Sequence, residues 1–272
     1  MNLKKYTGLF YNSGKFSRVE DVLAVEESLS IAINGEPFTV TMRTPGSELE
    51  LVRGLLYTEE VYRDVVKPEM EILTTNGKGY ITDVNIVIPK EKILKDFATS
   101  RNIISASSCG LCGRTSFEDT KTQNTISETG NLDPEKVYHL FEKMNEHQVD
   151  FKESGGTHAS AAFTFEGELL DIREDIGRHN AVDKVVGGLI QKNKLNQAKI
   201  LTVSGRISYE IVNKALSAGI PFLASVSAPS TMAIENALAA GMTLMAFCRN
   251  HKLTVYTHAE RIIQNEFVHV NK

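Results

Sequence analysis

This sequence of 272 residues has few cysteines and no long apolar run. Three cysteines are too few, and odd in number, for a disulfide framework, which favours a reducing compartment where thiols stay free for chemistry. No stretch approaches the roughly 18 consecutive apolar residues that a membrane-spanning helix needs. The basic residues 1–5 are not followed by the apolar segment of a signal peptide. We therefore expect a cytoplasmic protein without a membrane segment.

The sequence also lacks a large excess of either sign of charge. The formal net charge of -4 gives no general reason to expect binding to nucleic acid or to an anionic membrane. The shares of hydrophobic and charged residues, 42% and 24%, are ordinary for a globular protein. The length suits one large domain or two small ones, and either arrangement can bury a sizeable core.

Residues 1–100 are predicted to form a β-rich N-terminal subdomain with one helix. Apolar and polar residues alternate on both sides of the Asn-Gly pair at 34–35, a pair that a tight hairpin turn prefers. Ser47 and Glu50 have the spacing of a capping box, so we expect a helix to begin there.

Residues 131–272 are predicted to form an α/β domain. Asp133 and Pro134 make a good helix start, and short apolar strands alternate with helices farther along the chain. The predicted strands and helices follow one another at 199–203, 208–218, 220–226, 230–240 and 243–247. This alternation indicates a largely parallel sheet that is covered on both faces.

Residues 101–130 lie between these two parts, and hydrophobic periodicity fades there. Ser, Thr, Asn, Asp and Lys dominate the segment, which also contains Cys109 and Cys112. A loop of this length inside a compact protein is usually functional or disordered. We expect a mobile loop that carries a reactive tip.

The two cysteines in this loop have neighbours that suit sulfur chemistry. Gly110 and Gly113 remove side-chain bulk, which lets either thiol approach the sulfur of a partner closely. Arg114 is placed to stabilise a thiolate, the species that attacks in sulfur transfer. Thiolates attack disulfide and persulfide sulfurs, so the loop could accept a sulfur atom by exchange.

Three other interpretations of the cysteine pair stay open. The pair could be half of a structural zinc site completed by Cys248 and a histidine, although no second cysteine pair supplies the usual four ligands. It could be a dithiol redox motif, although this loop lacks the strand-to-helix frame of such motifs. It could also be chemically idle, which is commoner for a single buried cysteine than for two in one loop.

A second candidate segment, residues 173–180, crowds ionisable groups around one glycine between a strand and a helix. Asp175 and His179 could orient a substrate or relay a proton, and Arg178 could hold an anion. Equally, polar residues of the segment could cap the helix while its arginines pair with its acids. His158, beside small residues, is a weaker candidate of the same kind.

Polar turns follow three predicted strands, at 204–206, 227–230 and 248–252. The carboxyl ends of parallel strands meet at one sheet edge, so these turns should converge. The helices that follow two of them would present free backbone N–H groups to an anion. Cations suited to phosphate are Arg206, Arg249 and Lys252. We predict a pocket for a large phosphorylated ligand, and the absence of Walker and dinucleotide glycine motifs argues against ordinary ATP or NAD chemistry.

Taken together, these motifs resemble the formate dehydrogenase accessory sulfurtransferase (FdhD) family. The resemblance extends from Glu27 to Arg261. The segments that carry it are 109–113 (CGLCG), 174–184 (EDIGRHNAVDK), 204–210 (SGRISYE), 226–230 (VSAPS) and 241–244 (GMTL).

The resemblance implies a fold, a reaction and partners. The C-terminal domain would be a three-layer, cytidine deaminase-like α/β fold, and the protein would be a homodimer. It would accept sulfur from a cysteine desulfurase and pass it to the molybdenum (or tungsten) bis-guanine-dinucleotide cofactor, its cargo, before insertion into formate dehydrogenase. Cys109 would bear the persulfide, with Cys112 as its partner.

The resemblance also places the cofactor at one segment. The residues so implied are Phe247, Cys248, Arg249, Asn250, His251 and Lys252. No resident metal is implied. No deaminase activity is expected, because no His-x-Glu segment precedes the cysteine pair and no proline stands directly before Cys109, as a zinc deaminase requires. Two other hypotheses are a chaperone that binds the cofactor without transferring sulfur, and a zinc-dependent hydrolase.

Overall fold

The computed structural model describes residues 2–64, 66–95, 126 and 130–264. The predicted loop at 101–130, including Cys109 and Cys112, therefore lies outside the described residues except at two positions. The described strands form three sheets of two, four and six strands. None of the helices in the described part of the chain is long and apolar enough to cross a membrane.

The N-terminal part contains a two-stranded hairpin and a four-stranded sheet. The hairpin, which the sequence analysis did not predict, pairs β1 (Leu3–Asn12) with β2 (Lys15–Ala24). The strands of the sheet are β3 (Glu27–Ile33), β4 (Glu36–Arg43), β5 (Glu69–Thr75) and β6 (Ile81–Val87), in the order β4-β3-β6-β5. The predicted turn between β3 and β4 is confirmed, since Asn34 and Gly35 both have the positive φ of a type I′ turn.

The predicted helix after Ser47 is confirmed as α1 (Glu48–Thr58), but its predicted capping box is wrong. Ser47 has a φ of 57° and its side chain makes no capping hydrogen bond. Its hydroxyl oxygen instead accepts a hydrogen bond of 3.1 Å from Arg173. Tertiary contact between distant segments has overridden the local capping signal.

The C-terminal part is built around the six-stranded sheet. Its helices are α2 (Pro134–Glu146), α3 (Val149–Ser154), α4 (Arg178–Gln191), α5 (Tyr209–Ser217) and α6 (Thr231–Ala239). Its strands are β7 (His158–Phe163), β8 (Leu169–Asp175), β9 (Ile200–Val203), β10 (Phe222–Ser225), β11 (Thr243–Arg249) and β12 (Lys252–Val255). The predicted start of α2 is confirmed, because the Asp133 side chain accepts a hydrogen bond of 2.9 Å from the backbone N–H of Glu135.

The strand order is β12-β11-β10-β9-β7-β8, and the sheet is mixed rather than largely parallel as predicted. Within this sheet only the neighbouring pairs β9–β10 and β10–β11 are parallel. The β7–β8 hairpin adds two antiparallel strands on one side, and β12 folds back on the other. A two-residue turn at Asn250 and His251, both with positive φ, makes that reversal.

Helices cover both faces of this sheet, which gives three layers. Apolar side chains of α4, α5 and α6 pack on one face with alternate residues of the strands. The other face packs against the predicted apolar stripe of α2, formed by Val137, Leu140, Phe141 and Met144. The four-stranded sheet has a separate core, closed by Leu51, Val52 and Leu56 of α1.

Helices α1 and α4 cross in close contact and join the two parts of the chain. A Cβ atom on Gly54 would lie 1.8 Å from the backbone oxygen of Asp183, and one on Gly187 would lie 1.9 Å from that of Glu50. Only glycine allows the two backbones to approach so closely. The crossing fixes the N-terminal sheet relative to the helix that begins at the candidate site.

Candidate functional site

The polar turns identified in the sequence meet at one edge of the six-stranded sheet. The turns after β9 and β10 are joined by a 3.0 Å hydrogen bond from the Ile207 N–H to the Ala228 carbonyl. The end of β11 is tied to the same place, because the Phe247 N–H donates to the Ser227 carbonyl at 3.2 Å. The start of β7 lies there too, with His158 paired to the last residue of β8. Ligand sites commonly form at such an edge.

A cleft of about 730 Å³ opens between this edge and helix α2. Four of the six predicted cofactor-binding residues line it: Cys248, Arg249, Asn250 and His251. Phe247 and Lys252 do not line the cleft. Other lining residues are Tyr138, Asn145, Gln148, Gly156, His158, Ser204 and Val226. The volume is within the range of small-molecule and cofactor sites.

His158, a weak candidate from sequence, lies half-buried in this cleft. Its ring nitrogen is 3.3 Å from the position that a Cβ on Gly205 would take, so a side chain there would press on the imidazole. Burial lowers the pKa of His158, and the positive charges of Arg178 and Arg206 lower it further. The imidazole is therefore neutral at pH 7, in surroundings that favour an anionic ligand.

The segment 173–180 divides into structural residues and residues at the site. Asp175 is fully buried and forms a 2.7 Å ion pair with Lys184. It also accepts hydrogen bonds from the backbone N–H groups of Thr44 and Gly177. Asp175 therefore holds β4 against α4, and the suggested substrate role is wrong. The suggested capping role is wrong as well, because Gly177 occupies the N-cap position and has no side-chain cap.

Arg178 and His179 begin helix α4 on the side of the sheet away from α2. The His179 Nε2 atom lies 3.3 Å from the hydroxyl of Ser208, the N-cap residue of α5. Burial, followed by the charges of Lys214 and Arg178, lowers the pKa of His179 to about 3. A neutral His179 therefore links the starts of helices α4 and α5. The proton relay suggested from sequence would need an imidazole whose pKa lies much closer to neutral pH.

The three helices α4, α5 and α6 all begin at this edge. The N-cap residues of α4 and α5 make no side-chain capping bond, whereas Ser230 accepts a hydrogen bond of 3.2 Å from the Ala233 N–H in α6. Helix N-termini carry partial positive charge and favour anions. With exposed Arg206 and Arg249 nearby, the edge has the electrostatics of a phosphate-binding site.

One feature of the cleft and one buried contact outside it were missed by the sequence analysis. One is the wall formed by α2 and the start of α3, where Tyr138, Asn145 and Gln148 line the cleft. Gln148 could have been found, since it continues the spacing of the apolar stripe of α2 with a polar residue. The other is the buried ion pair of Asp183 and Lys214, at 2.9 Å, which ties α4 to α5. These two residues are too far apart in sequence for a local pattern to predict their contact.

Cys248 lines the cleft but is almost fully buried. It is 1% exposed, and burial raises the pKa of its thiol to about 12. Such a thiol is a poor nucleophile and a poor metal ligand at neutral pH. Among the described residues no three His, Cys, Asp or Glu side chains cluster as a metal site would require. Cys109 and Cys112 lie outside that range, so the zinc hypothesis for them stays open.

Cys248 should resist alkylation in the folded protein. At pH 8 a thiol with a pKa of about 12 is ionised in only about one molecule in ten thousand. Treatment with iodoacetamide at pH 8, followed by peptide mapping, should leave Cys248 unmodified, and the same treatment in urea should modify it fully. Equal labelling of Cys248 under both conditions would show that the thiol is accessible and that its described burial is wrong.

Residues 24–263 match the sequence profile of the family described as FdhD/NarQ. Several proteins named "Sulfur carrier protein FdhD" are similar over nearly their whole length. The one from Streptomyces avermitilis is 41% identical over 92% of this chain and 92% of its own. The one from Sulfolobus acidocaldarius is 42% identical over 96% of this chain and 99% of its own.

A solved structure shares the fold. It is the crystal structure of a protein assigned as a formate dehydrogenase accessory protein from Desulfotalea psychrophila, with a TM-score of 0.74. The match covers 97% of this chain and 100% of that chain at 21% identity. At that identity the likeness concerns the fold alone.

Proposed function

The chain belongs to the FdhD/NarQ family, and on that premise we propose that it is a cytoplasmic sulfurtransferase that carries sulfur as a persulfide. Cys109 accepts the sulfur from a cysteine desulfurase. The protein then delivers it to a molybdenum (or tungsten) bis-guanine-dinucleotide cofactor bound in the cleft, before the cofactor enters formate dehydrogenase. The names of its relatives support the carrier role.

The observation that carries the cargo proposal is the cleft itself. It combines aromatic and polar walls with an edge where helix N-termini and exposed arginines favour phosphate. Its volume of about 730 Å³ suits one nucleotide portion of a large cofactor. We propose that Phe247 and Lys252, beside the cleft, contact parts of the cofactor that extend beyond it.

Sulfur loading at Cys109 follows from thiol chemistry. The Cys109 thiolate attacks the outer sulfur of the desulfurase persulfide, and a new S–S bond forms as the old one breaks. The desulfurase cysteine leaves as a thiolate, so no external oxidant or reductant is consumed. Arg114 stabilises the attacking thiolate, and Cys112 is the partner thiol in the same loop.

Covalent geometry allows the thiols to reach the cleft. Ile126 is hydrogen-bonded to the Ala240 carbonyl, at the end of β11 away from the cleft. Cys112 lies fourteen positions before it in the sequence, and an extended chain of that length spans at most about 50 Å. The seven residues of β11 cover only about 23 Å. The tether is long enough for the proposed transfer.

A homodimer and a cytidine deaminase-like layering complete the proposal. The three layers around the mixed sheet support the deaminase-like layering. The β1–β2 hairpin supports the homodimer, because a two-stranded hairpin is marginally stable alone and this one exposes large apolar side chains. These are Tyr6, Leu9, Phe10, Tyr11, Phe16 and Leu23. A second copy of the chain would cover them, and sedimentation that returned only the monomer mass at micromolar concentration would contradict this part.

A chaperone that binds the cofactor without sulfur transfer is the alternative, and the cleft favours it as much as it favours a carrier. Replacing both Cys109 and Cys112 with alanine separates the two. The carrier predicts unchanged GDP binding in the cleft but loss of formate dehydrogenase activity when the variant replaces the native protein in cells. A double variant that still supports full activity would identify the protein as a chaperone.

A further inference from the structure

Gln148 stands at a position where the sequence pattern calls for an apolar residue. It follows Met144 by one helical turn and lies directly after the buried stripe of α2. The residue is only 5% exposed, yet it lines the cleft. A buried polar side chain at such a place is normally hydrogen-bonded.

No hydrogen bond from the Gln148 side-chain amide to any other described residue is formed, although its backbone groups are bonded. The amide oxygen and nitrogen of Gln148 are not fully enclosed. The small accessible part of the residue therefore includes its amide. An amide offers one acceptor and two donors. In the cleft these groups face the space that a ligand would fill.

Flat ring surfaces stand beside Gln148 in the same cleft. The rings of Tyr138 and His251 lie with centroids 5.0 Å apart and their planes tilted by 56°. His251 sits in the tight turn between β11 and β12, which holds it toward α2. Phe151, 41% exposed, lines the cleft as well. Stacking surfaces next to a free amide are the components of a site for a planar heterocycle.

The cleft therefore has two parts with different binding chemistry. The wall with Tyr138, Gln148 and His251 suits a ring, whereas the sheet edge with His158 and Arg249 suits phosphate. We propose that Gln148 hydrogen-bonds the amino-oxo edge of a bicyclic heterocycle, with Tyr138 and His251 packing on its face. This inference rests on the proposed function, whose cargo has two such rings, since guanine and a pterin share that edge.

Binding of GDP, neopterin and inorganic pyrophosphate tests the proposal by calorimetry. Methionine is close to glutamine in length and shape. The Gln148→Met variant should bind GDP about tenfold more weakly, because the buried hydrogen bond from the amide to the ring is lost. Pyrophosphate lacks the ring, so its affinity should not change. Gln197→Met, an exposed glutamine between α4 and β9, is the matched control and should change neither. If the Gln148 variant weakens neopterin binding rather than GDP binding, the ring held there is the pterin.

Other outcomes overturn the proposal and separate it from the proposed function. A Gln148→Met variant that binds GDP and neopterin as the wild type does removes the role of the amide. Equal weakening of GDP and pyrophosphate shows general damage to the cleft and removes it too. A wild-type protein that takes up persulfide sulfur but binds neither ring overturns the ring assignment and the cargo proposal, and leaves sulfur loading at Cys109 standing. One that binds GDP through Gln148 yet carries no persulfide overturns only the carrier function.

Discussion

Replacing Cys109 with alanine should reduce sulfur loading by a cysteine desulfurase and labelled cysteine to background. The reason is chemical, since only a thiolate can attack the donor persulfide and retain its outer sulfur. Cys248, with a pKa raised to about 12 by burial, cannot substitute for it, and the proposal gives Cys112 the role of partner thiol rather than of first acceptor. The measurement is the amount of labelled sulfur bound per protein chain before and after reduction by a thiol.

The matched control for this prediction is Cys248→Ala, which removes a thiol without removing the proposed carrier. It should load as the wild type does, provided that the variant is folded. Full loading of Cys109→Ala would show that the roles assigned to the cysteines are wrong. Loading lost equally in both variants would point to a damaged fold rather than to a missing nucleophile.

Gly54→Ala should lower the free energy of unfolding by about 3 kcal/mol or more. The added Cβ atom would lie 1.8 Å from the Asp183 backbone oxygen and 2.9 Å from the Gly187 nitrogen. These are backbone atoms, so helices α1 and α4 must move apart, and overpacking of this kind typically costs 1–3 kcal/mol and sometimes more. Urea unfolding followed by circular dichroism measures the change.

Gly77→Ala is the control for that substitution. Gly77 lies in a turn where a Cβ atom would meet nothing within 4 Å, so alanine there should change the stability little. If Gly54→Ala proves as stable as the wild type and Gly77→Ala does too, the close crossing of α1 and α4 is not present in solution.

Elements with a strong local pattern were predicted well from the sequence. The Asn-Gly turn, the capped start of α2 and the alternation from β9 to β11 depend on neighbouring residues, and all three are found. The β1–β2 hairpin was missed because its large apolar residues are exposed and show no clear core-facing alternation. The capping box predicted at Ser47 does not form, because the Ser47 hydroxyl accepts a hydrogen bond from Arg173 instead. Arg173 is distant in sequence, so no local pattern reveals this contact.

The candidate site was predicted in part for a similar reason. The three turns meet because parallel strands β9, β10 and β11 end at one edge, and that rule needs only the order of elements. The wall from α2 depends on how that helix crosses the sheet, so Tyr138 was not recognised. For Asp175 the sequence left a substrate role and a structural role equally open, and its buried ion pair with Lys184 shows it to be structural.

The central claim is that Cys109 holds a sulfur atom as a persulfide. The most direct measurement is mass spectrometry of the tryptic peptide 102–114 after incubation with a cysteine desulfurase and cysteine. The account predicts an added mass of about 32 Da, one sulfur atom, located on Cys109 and removed by a thiol reductant. A peptide that gains no sulfur, from a protein that instead retains a zinc ion bound to the two cysteines, would contradict it.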